Sequence, residues 1–214
     1  MTELPQPSPN AAKSVGSSHT SHKPKPIIPF FAVIRVLSTV RWVDEEAEFL
    51  LGGVPTRVRI APDRAQQLQG QPLEEGQVYS LALWFRTLEG QVQALELAGI
   101  KPLKDQNPAE ALDMSPTCTL ATRLKAVFPE DGYFDVQVET NPAGQLQQPF
   151  DIRVWAAPDF IARLPRLEKT LIVYGEYQPQ TGRLVAQHWR KTRVGQPEGG
   201  QQEQHGSEQN NKSV

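Results

Sequence analysis

The stretch TRVRIAPDRAQQL at residues 56–68 lies over IRVWAAPDFIARL at residues 152–164 without a gap. Ala61-Pro62-Asp63 meets Ala157-Pro158-Asp159, Arg57-Val58 meets Arg153-Val154, and a Leu stands five residues after each Asp, Leu68 and Leu164. Each stretch reads as the end of a strand followed by a helix, because Pro fits the first helical turn, where its missing N–H is not needed. Outward from this anchor the correspondence continues. Leu73 meets Leu167 after a two-residue insertion, and Gly90-Gln91-Val92-Gln93-Ala94 meets Gly182-Arg183-Leu184-Val185-Ala186 after a further one. Self-similarity over that length predicts an internal duplication.

The flanking text is strand-like in both copies. In the first, a β-branched run at residues 31–42 predicts a long strand, followed by strands at 47–51 and 56–60, a helix at 62–69 and a closing hairpin of 77–87 with 91–100. In the second, strands are expected at 120–128, 133–139, 150–155, 171–177 and 183–189, with a helix near 158–164. The fold class is therefore all-β with short helices. Five strands with a helix between the third and fourth resemble the OB-fold, a small Greek-key barrel. The resemblance rests on element order and strand pattern over about 77 residues per copy and predicts two tandem five-stranded OB-like barrels, at residues 27–103 and 118–194. It implies, by analogy alone, the ligands such barrels commonly take: single-stranded nucleic acid or another protein.

Outside these copies the composition changes. Residues 1–26 are rich in Pro, Ser, Asn, His and Lys with few large apolar side chains, and residues 195–214 are rich in Gly, Gln and Glu. Neither can bury enough surface to offset the entropy of ordering, so a disordered arm and a disordered tail are expected. The acidic tail is similar to those of single-stranded DNA-binding proteins, but it ends Asn210-Asn211-Lys212-Ser213-Val214 and not in an acidic-hydrophobic tip. Residues 104–117, with Asn-Pro and Ser-Pro signals, read as a linker with one short helical turn around residues 108–114. The longest apolar run, near residues 27–34, is strand-length and too short to span a membrane, and the first residues lack a secretory pattern. A cytoplasmic protein without a membrane partner is expected, and the single cysteine agrees with a reducing compartment.

Catalytic chemistry finds no support. The histidines are His19, His22, His188 and His205 and the only cysteine is Cys118, so no zinc set can be assembled. The His19-Thr20-Ser21-His22 segment is better read as low-complexity arm than as a metal site. Neither GxxxxGK[ST] nor GxGxxG occurs. Cys118 lacks an obvious base other than His188 in the last strand, and it reads more simply as a strand-edge residue. The acidic pairs fall in turns. The expectation is a protein that is not an enzyme and carries no cofactor.

Alternation along the strands assigns faces. Phe134, Val136 and Val138 would point into the second barrel, as would Phe150, Ile152 and Val154. Tyr133, Asp135 and Gln137, together with Asp151, Arg153 and Trp155, would then point out. Tyr133, Arg153 and Trp155 thus share the outer face of strands two and three, the face OB-folds present to oligonucleotides. Arg57 and Arg59 occupy the matched positions of the first copy, with Val58 and Ile60 inward. The loop between strands four and five is expected to add Trp84, Phe85 and Arg86 in the first copy, and Tyr177 with Arg183 in the second. Trp155 equally suits packing against the sister domain, with Arg153 covering apolar surface with its stem. Trp42 and Trp189, at strand ends, read as core plugs. If Leu81 and Leu83 face inward, one large aromatic of the Trp84-Phe85 pair is left exposed.

Charge bears on the choice of ligand. The chain has 22 Lys+Arg and 24 Asp+Glu, but residues 27–103 carry 7 basic and 9 acidic side chains whereas residues 118–194 carry 10 and 8, ending in Trp189-Arg190-Lys191-Thr192-Arg193. Two readings follow. In the first, the protein binds single-stranded DNA or RNA, mainly through the second copy. In the second, the same barrels or their strand edges dock another protein, which the near-neutral total charge favours.

Overall fold

The computed structural model describes residues 27–43, 46–68, 73–104, 107–140, 146 and 148–194. The arm at 1–26 and the tail at 195–214 lie outside the described residues, as does the side chain of Trp42. In chain order the elements are β1 (Phe31–Val43), β2 (Glu46–Leu51), β3 (Val54–Arg57), α1 (Pro62–Leu68), β4 (Val78–Leu88), β5 (Gln91–Pro102), α2 (Pro108–Asp113), β6 (Thr117–Phe128), β7 (Tyr133–Val138), β8 (Phe150–Trp155), α3 (Pro158–Ile161), β9 (Thr170–Gln178) and β10 (Arg183–Lys191). The protein is all-β with short helices. Among the described residues no helix is long and apolar enough to cross a membrane.

The second set of strands forms a closed ring. β6 pairs with β7 and β7 with β8, both antiparallel. β8 meets β10 in parallel at Trp155 and Val185, β10 pairs with β9, and β9 returns to β6. That circuit, first-second-third-fifth-fourth, is the OB order. The first set repeats it: β1 with β2, β2 with β3, β1 with β4 and β4 with β5. Its gap between third and fifth strands is bridged just beyond β3, where the Arg59 N–H donates to the Leu95 carbonyl and Leu97 N–H to the Arg59 carbonyl, both at 2.9 Å. The third strand is accordingly shorter than the expected 56–60, since the chain leaves β2 after Arg57 and rejoins β5 at Arg59.

β1 is long because it serves three neighbours. Its start, Phe31 to Arg35, pairs antiparallel with β6, its middle with β4 and its end with β2. The first strands of the two rings thus join edge to edge. Inside, the period-two pattern is realised: Ile34, Phe49, Leu81, Leu83 and Leu97 fill the first ring, and Leu120, Leu124, Phe134, Val136, Ile152, Val154 and Leu171 the second, all essentially buried. Each such side chain contributes about 1.5–3 kcal/mol relative to leaving it in water.

The matched Ala-Pro-Asp segments behave alike in both rings. α1 and α3 start at the matched prolines, and Leu68 and Leu164 both pack partly buried against the core. Gly90 and Gly182 both adopt positive φ, +83° and +68°, directly before β5 and β10, a conformation favoured by glycine. Leu73 and Leu167 do not correspond. Leu73 is buried, whereas Leu167 is 52% exposed in a turn completed by Glu168 at φ +63°.

Candidate nucleic-acid interface

The outer face of β7 and β8 is built by alternation. With Phe134, Val136, Val138, Ile152 and Val154 locked inside, the residues between them must face outward. Register then sets the cross-strand pairs: Tyr133 opposite Trp155, Asp135 opposite Arg153 and Gln137 opposite Asp151. Phe150, expected inside, is only half-buried at the start of β8.

The pairs make specific contacts. The Tyr133 and Trp155 rings meet edge to face, with centroids 5.3 Å apart at 62°. Phe128, at the end of β6, extends the row, 4.7 Å from Tyr133. Arg153 lays its guanidinium 3.9 Å from the Tyr133 centroid and donates from Nε to Asp135 Oδ1 at 3.1 Å. The hydrogen bond to Asp135 raises the Arg153 pKa further, against a smaller opposing effect of burial, so the cation is permanent. From β10, alongside β8, the exposed Arg183 places its guanidinium 4.0 Å from the Trp155 ring. The result is a row of three rings with two guanidiniums stacked on it, a geometry attractive through the ring quadrupoles. The Trp155 Nε1–H is buried without a hydrogen-bond partner among the described residues. Such a donor costs about 1–3 kcal/mol while it stays unsatisfied.

Four of the eight expected site residues, Tyr133, Arg153, Trp155 and Arg183, are therefore brought together. The other four stand on the first ring. Arg57 and Arg59 are exposed at and just after β3. Trp84 and Arg86 were expected in a loop but belong to the body of β4, because the strand runs on to Leu88 before turning. There they alternate with the buried Leu83 and Phe85, which leaves Trp84 exposed. Tyr177, also expected at the loop, is buried in β9.

Two features of this face were not visible in the sequence. The first is Phe128, a strand-end residue with no pattern to mark it as part of the row. The second is the β4–β5 turn, which leaves the first ring and rests on the second. Thr87 Oγ1 donates to the Asp151 carbonyl at 2.9 Å, and Val92 N–H donates to the Gly182 carbonyl at 2.7 Å. Gly90 lies so close to Arg153 that a Cβ there would sit 2.7 Å from Arg153 Cδ. Packing between halves and a cation–ring face thus coexist on β8.

Cys118 is buried in β6, and burial, assisted by the nearby Glu176 carboxylate, pushes its thiol up to about 12. It remains protonated at neutral pH, the wrong state for a nucleophile. The His188 ring instead stacks on Tyr174, at 5.6 Å, with Arg190 on the same tyrosine. Trp189 packs partly buried against the core.

No family model matches this chain, and no curated protein matches it. Among solved structures, the wild-type single-stranded DNA binding protein from Thermus aquaticus aligns over 80% of this chain and 98% of that chain, at 16% identity and a TM-score of 0.44. A deletion mutant of the same protein aligns over 77% and 95%, again at 16% identity, with a TM-score of 0.45.

Proposed function

We propose that this chain binds single-stranded nucleic acid, without catalysis, on the outer face of β7, β8 and β10. The observation that carries the reading is the row Phe128, Tyr133 and Trp155 with Arg153 and Arg183 stacked on it. Rings offer bases a stacking surface that tolerates any sequence, and guanidiniums can turn from a ring to a phosphate at small cost. Arg183 serves the phosphate more readily than Arg153, which already holds Asp135. Arg190, Lys191 and Arg193 are also exposed, at the other end of β10 from Arg183.

The test is fluorescence anisotropy of labelled single-stranded DNA and RNA twenty-mers titrated with the full chain, at low and at physiological salt. Micromolar or tighter binding that weakens as salt is added is expected. Trp155→Ala should cost about 1–3 kcal/mol, the contribution of one stacked base. No binding at low salt refutes the reading. A second reading, docking of a protein partner, is favoured by one observation: Trp84, Arg86 and Leu88 alternate along the outer side of β4, with Trp84 37% and Leu88 64% exposed. Binding by that stripe would survive moderate salt and would be lost in Trp84→Ala.

A further inference from the structure

Between the β4–β5 turn of the first ring and the β9–β10 turn of the second lies an open groove of about 540 Å³. Gln91, Val92 and Gln93 form one wall, and Gln180, Thr181 and Arg183 line the other. Neither ring possesses the groove alone. Its two walls are fastened by the Val92 N–H to Gly182 carbonyl hydrogen bond at 2.7 Å. Gly182 permits that approach, since a Cβ there would meet the Val92 carbonyl at 3.3 Å and Gln91 Cβ at 3.4 Å.

The lining has a definite chemical character. The three glutamine side chains are exposed, and each amide both donates and accepts hydrogen bonds. One permanent cation, Arg183, is present, and no carboxylate lines the groove among the described residues. A site with one positive charge and several two-way amides suits an anionic ligand with hydrogen-bonding edges. The volume lies within the range of about 300–1,000 Å³ typical of clefts for small ligands and leaves room for a base with its sugar. Arg183 belongs to this groove and also covers Trp155, so the groove and the aromatic row are contiguous.

We propose that the groove is a nucleotide subsite in which a single strand leaving the aromatic row passes between the two turns, its base edge held by Gln91, Gln93 and Gln180 and its phosphate by Arg183. This inference rests on the nucleic-acid reading above and adds to it that both halves grip one strand at one place, through polar contacts with the base edge.

The experiment uses the full chain with two labelled probes, a thymidine trinucleotide and a twelve-nucleotide thymidine strand. The variants are Gln91→Ala/Gln93→Ala/Gln180→Ala, Gln93→Glu/Gln180→Glu and Trp155→Ala. The glutamines are exposed, so the folds of their variants should match the parent by circular dichroism. Expected is a loss of about tenfold in affinity for the long strand in the alanine variant, a difference near 1.4 kcal/mol. A larger loss is expected in the glutamate variant, where carboxylates enter a groove lined by none among the described residues, with little change for the trinucleotide in the alanine variant. Unchanged affinity for the long strand in both glutamine variants, with a loss in Trp155→Ala, overturns the subsite and leaves the nucleic-acid reading standing. Failure of the parent protein to bind either probe at low salt overturns both.

Discussion

Replacing Gly90 by Ala tests whether the first ring rests on the second in solution. Gly90 adopts φ +83°, and an added Cβ would lie 2.7 Å from Arg153 Cδ and 3.2 to 3.3 Å from its Cβ and Cγ. The left-handed conformation alone costs a non-glycine residue about 1–2 kcal/mol. Displacing the Arg153 stem adds to this, because the guanidinium then leaves the Tyr133 ring and Asp135. The ring contact is worth about 0.5–1 kcal/mol at such a site, and the partly exposed ion pair about 0–1 kcal/mol. Gly76 is the control: it has nearly the same φ, +78°, with nothing among the described residues within 4 Å of its Cβ position. Gly76→Ala should therefore carry the conformational cost alone, and Gly90→Ala that cost plus about 1 kcal/mol, roughly a further 2–4 °C in Tm for a chain of this size. Urea unfolding followed by tryptophan fluorescence, with thermal melts by circular dichroism, measures the difference. If Gly90→Ala is no more destabilising than Gly76→Ala, the turn does not lie on Arg153 and the reasoning is wrong.

Two further outcomes follow from buried positions. At Gly175 in β9 an added Cβ would fall 2.1 Å from the Val185 carbonyl oxygen, so Gly175→Ala must push β10 aside, and a loss of about 3 kcal/mol or more is expected, read as a lowered urea midpoint or failure to accumulate folded protein. The Cys118 thiol, at about 12 in the fold against an ordinary 9.0, keeps its proton while the unfolded chain loses it, so its contribution to stability is complete below pH 9 and is lost as pH rises toward 12. Native protein should resist a thiol reagent at pH 8 that labels the urea-unfolded chain, and Cys118→Ala should flatten the alkaline fall in stability. Rapid native labelling would show that Cys118 is accessible and contradict its placement.

The strands and their inward faces were legible because they obey local rules. Alternation placed Phe134, Val136 and Val138 inside, and prolines at 62 and 158 opened the helices. What escaped was non-local. Nothing in the period of β1 announces that residues 31–35 will pair with β6, and nothing in the β4–β5 hairpin announces that its turn will reach β8. The loop placement of Trp84 and Arg86 is at odds with the strand expected at 77–87, which already contains both and which the structure extends only to Leu88. Of the candidate site, Tyr133, Arg153 and Trp155 followed from alternation, whereas their stacking order and the approach of Arg183 are products of the closed ring.

The seam between β1 and β6 also sets an order of events during synthesis. Arg35 and Thr117 meet across 82 residues of chain, and β5, the last strand of the first ring, ends at Pro102, so the first ring can close before β6 begins at Thr117. Translation at about 5–20 residues per second leaves that edge, Phe31-Ala32-Val33-Ile34-Arg35, uncovered for seconds, long enough for an apolar strand to find a second nascent chain. The segment made in the interval contains α2, and in the finished protein α2 lies beside β1. The connection between the rings, α2 included, is therefore made before β6 and packs against the same strand that β6 pairs with.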